Sequence, residues 1–279
     1  MALIAALQMT SCPDIDSNFL QIEKALAGMQ FDQPTLIVMP ECFAFFGGSD
    51  RDMLANAEPL ANGNFTSKTK IQFSLTELAK RHGVWLVAGT IPIKVAGVEK
   101  FTASCFVIDD SGEVRAEYQK IHLFDVSVSD NTGSYKESKY TQNGTDTCVV
   151  TDTPFGNLGV AVCYDVRFPG QFMAMGDIDV LALPAAFTKK TGTAHWHKLL
   201  AARSIENQCY LVAANQSGIH ANKRETYGHS CIYTPWGELE TETLESPGIV
   251  ISEVNTSYLN KIRATMPVKQ QNRFRSKFV

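Results

Sequence analysis

The chain has 279 residues, of which 44% are hydrophobic and 19% are charged, and its formal net charge is −4. This length is enough to bury one large hydrophobic core. An acidic chain without clustered Lys and Arg is not expected to bind nucleic acid, because a phosphate backbone attracts basic surfaces. No uncharged apolar segment approaches the roughly twenty residues that span a bilayer, so we expect no association with a membrane.

The domain organisation is predicted to be simple, since the sequence contains no Ser/Gly linker, charge block or repeat. We therefore predict one domain over residues 1–279. A short C-terminal tail, about 267–279, is expected to be solvated or to pack on a partner subunit. Its basic residues are Lys269, Arg273, Arg275 and Lys277.

The N-terminus and the cysteines both bear on the cellular location. The first residues, MALIAALQMTS, lack the basic region of a signal peptide and predict a first strand. The seven cysteines are odd in number and show no repeated C-x-x-C spacing. A disulfide framework or a zinc cage is therefore not expected, and reduced thiols are typical of a cytoplasmic protein.

The secondary structure is predicted from apolar, β-branched segments bounded by turn residues. In chain order these strands are LIAALQM, TLIVMP, VWLVAGTIPI, CFVIDD, GVAVCY, DVLALPAAF, CYLVAANQ, SCIYT and GIVISEV. Their near-continuous apolar character is typical of strands covered on both faces. Helical periodicity covers 18–28, 67–82 and 194–208, and hairpin turns are expected at 109–112 and 234–237. This order predicts an α/β fold with mixed sheets and outer helices.

Three reactive side chains come directly after such apolar strands. Glu41 follows TLIVMP, Lys120 follows the second strand of the 109–112 hairpin, and Cys163 lies between GVAV and YDVRFP. Ligand sites of α/β sheets gather at strand ends, and a nucleophile on a strand-to-helix turn is exposed there. Each residue alone has an ordinary alternative, since a free Cys is usually buried core and a lone Glu or Lys is usually solvated.

The motifs around these residues carry a family resemblance. MPECF, YQKIHLFD and AVCYDVRFP resemble, in this order, the Glu, Lys and Cys motifs of the nitrilase-like carbon–nitrogen hydrolases. The resemblance continues through PAAFTKKTGTAHW, LLAARSIENQCYLVAANQSG, YGHS and PWG, and these flanks look most like the Nit amidases, which include deaminated-glutathione amidase and ω-amidase. It implies a four-layer α-β-β-α sandwich that commonly dimerises through helices.

The resemblance also implies the chemistry, which is hydrolysis of a linear amide by a thiol nucleophile. Cys163 would attack the carbonyl and form a thioester, and Glu41 would act as general base and acid. Lys120 and the backbone N–H of Tyr164 would stabilise the oxyanion. A cation near the sulfur is also expected to lower the thiol pKa. A second carboxylate, Glu137, would position Lys120 or the substrate.

The histidines offer alternative chemistry that we consider less favourable. A Cys–His pair with His122 or His229 would need the motifs of a different family, so both are predicted to be structural or to line the substrate site. His195 and His197 are two residues apart on a helix and point to different sides, so no metal ion and no cofactor is predicted. Asp165 and Arg167 (in CYDVRF) are predicted to form an ion pair that braces the turn.

Substrate-binding residues are expected in the polar segment 218–230, which is interpreted as a loop. Arg224 is the first candidate for holding a substrate carboxylate, because its guanidinium makes two-point contacts, and Lys223 is the second. His195 and His229 are further candidates for lining this site.

The substrate prediction is weakened by three departures from the family pattern. They are Gly170 after RFP, His197 after AHW, and the segment VKQQNRF at 268–274. A deaminated-glutathione amidase is the first hypothesis, and an ω-amidase, a nitrilase or an N-carbamoyl hydrolase is the alternative. A third hypothesis, an inactive relative that only binds ligands, is disfavoured because Glu41, Lys120 and Cys163 are all present.

Overall fold

A computed structural model describes residues 1–127 and 134–274. Its strands, in chain order, are β1 Ala2–Gln8, β2 Thr35–Val38, β3 Trp85–Val87, β4 Ile91–Lys94, β5 Phe101–Ile108, β6 Val114–Gln119, β7 Asp125–Ser127, β8 Ser134–Lys136, β9 Thr141–Gln142, β10 Cys148–Thr153, β11 Gly156–Val160, β12 Val180–Ala185, β13 Tyr210–Asn215, β14 Ser217–Ile219, β15 Glu225–Tyr227, β16 Cys231–Tyr233, β17 Leu239–Glu242 and β18 Gly248–Val254.

The helices alternate with the strands. They are α1 Ile15–Leu26, α2 Asp50–Ala55, α3 Lys70–His82, α4 Pro169–Ala174, α5 Lys189–Asn207, α6 Thr256–Thr265 and α7 Val268–Gln271, with 3₁₀ turns at Glu137–Lys139 and Cys163–Arg167. The longest helix, α5, begins after Thr188, whose side chain accepts a hydrogen bond from the backbone N–H of Thr191. None of the helices in the described residues combines the length and the apolar character that a membrane span requires.

Two mixed sheets form the centre of the molecule. The first has the strand order β18-β1-β2-β3-β5-β4, with β6 and β9 also paired to β5. The second has the order β10-β11-β12-β13-β16-β17. Within them β1, β2 and β3 run parallel, as do β11, β12 and β13, whereas β18, β10 and β16 pair antiparallel.

Two hydrophobic clusters establish the layers. One joins the inner faces of both sheets and continues to α4 and α5, through buried residues such as Leu36, Leu181 and Trp196. The other packs α1 and α3 on the outer face of the first sheet, through Ile22, Leu75 and their neighbours. Because sheet faces and amphipathic helices bury their apolar sides against each other, the result is the predicted four-layer α-β-β-α sandwich.

Most of the predicted elements are confirmed, with shifted boundaries. The helix predicted at 194–208 begins five residues earlier because Thr188 caps it, and the helix predicted at 67–82 ends at Gly83, which is left-handed with a φ of 60°. Both hairpin turns, at 109–112 and 234–237, join paired strands. The loop prediction for 218–230 was partly wrong: residues 220–224 and 228–230 are outside strands, but β14 and β15 pair as a short hairpin.

The predicted tail is only partly described. Lys269 donates a hydrogen bond to the Gly176 carbonyl oxygen at 2.7 Å and contacts Asp177 at 3.1 Å, so this part of the tail packs on its own chain. Arg275 and Lys277 lie outside the described residues.

A glycine close to β2 sets the path of the chain into the predicted site. Gly89 has a φ of +48°, and a Cβ atom there would lie 2.1 Å from the carbonyl oxygen of Pro40. Only glycine permits this approach, since any side chain would collide with the backbone. The turn after Pro40 therefore sits directly against the segment between β3 and β4, and Glu41 begins this turn.

Candidate active site

The predicted catalytic residues meet in one cavity of about 290 Å³. Glu41 follows β2, Lys120 follows β6, and Cys163 follows β11, so all three lie at strand ends as the sequence predicts. Glu137 and Tyr164 also line the cavity. The site combines residues from both sheets, which the sandwich brings face to face.

Lys120 is the most buried charged group of this cavity, with 2% of its side chain exposed. Its Nζ donates hydrogen bonds to Glu41 Oε1 at 2.7 Å and to the two carboxylate oxygens of Glu137 at 2.9 and 3.0 Å. A buried ammonium requires such partners, because removal from water is costly for an unpaired charge. The contact with Glu137 confirms that this residue reaches Lys120.

Glu137 is held through its carboxylate, and Glu41 is held through its main chain. Glu137 Oε2 accepts a hydrogen bond from the backbone N–H of Phe124 at 2.6 Å, and Glu137 lies in the 3₁₀ turn after β8. The carbonyl oxygen of Glu41 accepts a hydrogen bond from the side-chain amide of Gln216 at 3.1 Å. These contacts fix both ends of the Glu41–Lys120–Glu137 array.

Cys163 lies on a constrained turn. Its φ is +49°, a left-handed conformation that costs a non-glycine residue on the order of 1–2 kcal/mol, and a 3₁₀ turn begins at this residue. Asp165 holds the turn, because its carboxylate accepts hydrogen bonds from the backbone N–H of Val162 at 2.8 Å and from the Tyr118 hydroxyl at 2.6 Å. The surrounding structure therefore stabilises the strained backbone.

The predicted ion pair between Asp165 and Arg167 was wrong. Asp165 instead contacts His122, whose backbone N–H and ring Nδ1 lie 3.0 and 2.7 Å from Oδ1. The Asp165 side chain is fully buried below the turn, whereas Arg167 points into the cavity. His122 therefore has a structural role, which is one of the two roles predicted for it.

The pKa of the Cys163 thiol is well above its usual value. Burial is the main cause, and the charge of Glu41 adds to it, while Lys120 and the backbone N–H of Ala186 act in the opposite direction. Lys120 lowers the thiol pKa, as expected of a nearby cation, but burial and the charge of Glu41 outweigh this effect. The free thiol is neutral at pH 7, so attack by sulfur requires a base.

The two partners of Lys120 keep it protonated. Burial acts to lower the pKa of Lys120, but the carboxylates of Glu137 and Glu41, together with Cys163, hold it well above its usual value. The pKa of Glu137 is raised, chiefly by burial and also by the charge of Glu41, although Lys120 opposes this. Lys120 is accordingly a permanent cation.

Arg224 lies on the wall of the cavity. Its guanidinium lies 5.1 Å from the ring centre of Phe46 and 5.0 Å from that of Tyr135. Nη2 donates a hydrogen bond to the Ala186 carbonyl oxygen at 3.0 Å, while Nε is buried without a hydrogen-bond partner among the described residues.

Arg167 is a second guanidinium on the cavity wall, and the sequence did not predict this role. Its guanidinium lies 5.7 Å from the ring centre of Tyr164 and 5.3 Å from that of Phe187, and its Nε is likewise buried without a partner in the described parts of the chain. One signal was available, because Arg167 lies only four residues after Cys163 in the same turn.

The remaining predicted binding residues lie outside the cavity lining. Lys223 is exposed at the tip of the β14–β15 hairpin. His195 is exposed and its Nδ1 lies 3.3 Å from Nη1 of Arg167, so it touches a lining residue rather than the cavity. His229 contacts Glu242 at 3.4 Å, away from the cavity lining.

Comparison with known proteins agrees with this geometry. Residues 3–264 match the family model described as carbon-nitrogen hydrolase. The chain belongs to the carbon–nitrogen hydrolase family. It is 38% identical to a deaminated glutathione amidase of Yersinia enterocolitica, over all of this chain and 95% of that protein. Together with the motifs, this places the hydrolase in the Nit amidase branch.

Solved structures support the nitrilase-like fold of the hydrolase. The C. elegans NitFhit protein superposes with a TM-score of 0.85 at 36% identity, and the match covers 97% of this chain and 65% of that longer chain. A mutant of the amidase from Nesterenkonia sp. AN1, which carries acrylamide at its active-site cysteine, gives a TM-score of 0.74 at 26% identity, with 96% and 98% coverage. The predicted family and fold are both confirmed.

The hydrolase geometry makes a prediction about the thiol. Glu41→Gln removes the charge that raises the pKa of Cys163, so the thiol pKa should fall even though turnover is lost. The pH dependence of the ultraviolet absorbance of the thiolate, with Cys163→Ala as the reference, measures this pKa. A thiol pKa that is unchanged or higher in Glu41→Gln would contradict the assignment of Glu41 as the nearest negative charge.

Proposed function

We propose that this hydrolase cleaves a linear amide in a small carboxylate-bearing molecule through a thioester on Cys163, with a deaminated glutathione as the most suitable substrate type. The observation that carries the proposal is the composition of one cavity. It contains a thiol, two carboxylates and a buried ammonium, together with two guanidinium groups whose Nε atoms have no hydrogen-bond partner in the described parts of the chain.

The first step requires proton transfer from the thiol. The pKa of Cys163 is raised by burial and by the charge of Glu41, so the resting sulfur carries its proton, and the Glu41 carboxylate lines the same cavity. Glu41 would accept this proton as the sulfur attacks the amide carbon, and would then donate it to the departing amine. The raised thiol pKa thus supports the role of Glu41 as general base and acid.

The developing oxyanion would be stabilised by Lys120 and by the backbone N–H of Tyr164. An ammonium has three N–H donors, and all three contacts of Lys120 Nζ go to carboxylate oxygens. Two of these contacts involve the same carboxylate, that of Glu137, so one donor can turn towards substrate without leaving either acid unpaired. Glu137 therefore positions Lys120.

Deacylation uses the same groups in the opposite order. After the amine leaves, Glu41 is again a carboxylate and can remove a proton from water as the water attacks the thioester. The tetrahedral intermediate then collapses, the acid product leaves, and Cys163 recovers its proton. Every proton transfer in this scheme passes through Glu41.

The two arginines support a substrate with a carboxylate. A buried N–H without a partner costs about 1–3 kcal/mol, and a carboxylate supplies two oxygens for a guanidinium fork. Arg224 is further oriented by its hydrogen bond to the Ala186 carbonyl oxygen and by the rings of Phe46 and Tyr135. Arg167 is restrained by Tyr164 and Phe187, next to the nucleophile.

An ω-amidase remains the alternative, since it also acts on carboxylate-bearing amides. A nitrilase or an N-carbamoyl hydrolase is disfavoured by the similarity to a deaminated glutathione amidase over the whole chain. An inactive binding protein is disfavoured by the intact thiol, carboxylate and ammonium.

Cellular location and assembly belong to the proposal as well. The cysteines of the described residues are free, which supports a reducing, cytoplasmic environment.

Ile205 on α5 and Trp236 on the β16–β17 hairpin are each about half exposed and lie on neighbouring segments, which supports a homodimer formed through this helix. One domain over the whole chain, with the tail against a partner subunit, stays a prediction.

The assignment of the nucleophile and the base is tested by turnover of a deaminated glutathione. Cys163→Ala and Glu41→Gln should each reduce kcat by at least about 10³-fold, since neither replacement can attack or shuttle a proton. Circular dichroism and melting should stay near wild type, and Cys12→Ala, at a cysteine outside the cavity, is the control. Retention of a tenth of the wild-type rate in Cys163→Ala would overturn the assignment.

The substrate class is tested by Arg224→Ala. The variant should raise KM for an anionic amide roughly 10- to 100-fold, which corresponds to one charge-assisted hydrogen bond, and should change KM little for a neutral amide. Lys223→Ala is a matched control, because it removes the adjacent positive charge at the exposed tip of the same hairpin. Equal losses on both amides would show that Arg224 supports the fold instead of binding a carboxylate.

A further inference from the structure

A group of three possible metal ligands lies outside the catalytic cavity. His197 is on α5, His229 lies between β15 and β16, and Glu242 is the last residue of β17. One ligand atom from each lies within 4.8 Å of the other two, and all three residues are partly exposed. We propose that His197, His229 and Glu242 bind a zinc ion.

The distances suit this ion. Glu242 Oε2 lies 3.5 Å from His197 Nε2 and 3.4 Å from His229 Nδ1. Zinc–ligand bonds of about 2.0–2.1 Å in a tetrahedron separate neighbouring ligand atoms by about 3.3 Å. Both distances are longer than an ordinary N–H···O hydrogen bond. The Glu242 carboxylate therefore lies between the two imidazole rings without a short hydrogen bond to either.

The His197 ring is prepared for coordination. Its Nδ1 lies 2.9 Å from the Tyr233 hydroxyl, and a proton on Nδ1 that is donated to this oxygen leaves the lone pair on Nε2 free. Such a partner on the second ring nitrogen commonly fixes the tautomer of a zinc ligand.

The His229 side chain is held in place by its backbone and by a ring contact. Its backbone N–H donates to the Leu244 carbonyl oxygen at 3.0 Å, and its carbonyl oxygen accepts the Trp196 indole N–H at 2.8 Å. Its ring stacks on Tyr227 with a centroid distance of 4.3 Å. The φ of His229 is +57°, so its backbone is left-handed.

The bound ion would connect three segments that are far apart in sequence. The N-terminal end of α5 lines the catalytic cavity through Thr191, and His197 lies about two turns further along the same helix. Zinc would therefore stabilise α5 against the second sheet, with three protein ligands and water in the fourth position. It would take no part in the chemistry at Cys163, because none of its ligands lines the cavity.

The proposal is tested by zinc binding to the full chain after dialysis against a chelator. We expect one zinc ion per chain and a higher Tm with zinc. His197→Gln, His229→Asn and Glu242→Gln should each weaken binding by at least about 100-fold, since removal of even an outer partner costs 10- to 100-fold. Asn tolerates the left-handed backbone at position 229, and Gln has nearly the shape of Glu at position 242. We therefore expect both variants to fold.

Two controls separate this site from other ligands. His195→Ala, two residues away on the same helix, should retain the affinity, and so should Cys163→Ala. Cobalt bound in place of zinc should show no sulfur-to-metal charge-transfer band. Absence of zinc binding, binding that survives the His197→Gln/His229→Asn double variant, or binding that is lost in Cys163→Ala would overturn the proposal.

Discussion

The buried ammonium of Lys120 is the constraint on which the site depends. It lies between Glu41 and Glu137 with almost no exposed surface, so its charge is balanced only by carboxylates that arrive from two other segments. Loss of one partner of a buried ion pair costs about 3–5 kcal/mol, because the other charge is left unpaired. The positions of β2, β6 and the turn after β8 are therefore coupled through one side chain.

The same array determines how the thiol is activated. Burial raises the thiol pKa of Cys163 most, and the charge of Glu41 adds to this effect, while Lys120 opposes both. A thiolate held permanently by a cation is thus not the resting state of this site. The proton must move during the reaction, which requires a carboxylate near the sulfur, and Glu41, which lines the same cavity and whose charge raises the thiol pKa, supplies one.

Sequence reasoning was most successful where a local pattern determines the structure. Apolar runs, caps and turn residues predicted the strands and the main helices, and the motifs predicted that Glu41, Lys120 and Cys163 converge. It failed where the direction of a side chain depends on tertiary packing. Arg167 was paired with Asp165 by proximity in sequence, yet Tyr118 and His122 occupy the Asp165 carboxylate and leave the arginine free to enter the cavity.

The His197–His229–Glu242 group was missed for a related reason. Spacing of two on a helix correctly separated His195 from His197, but the partners of His197 come from residues 32 and 45 positions further along the chain. No local pattern relates a helix face to a strand end at that separation. The hairpin at β14–β15 was also interpreted as a loop, because its two strands have only three residues each, which is too short to give an apolar pattern.

The central claim is that the Cys163 sulfur carries the acyl group between the two half-reactions. Its most direct measurement is intact-protein and peptide mass spectrometry of the enzyme, quenched in acid during turnover of a slowly hydrolysed amide. We expect an added mass equal to the acyl group, located on Cys163 and absent from Cys163→Ala. Product formation with no adduct, or an adduct on the neighbouring cavity residue Cys42, would contradict it.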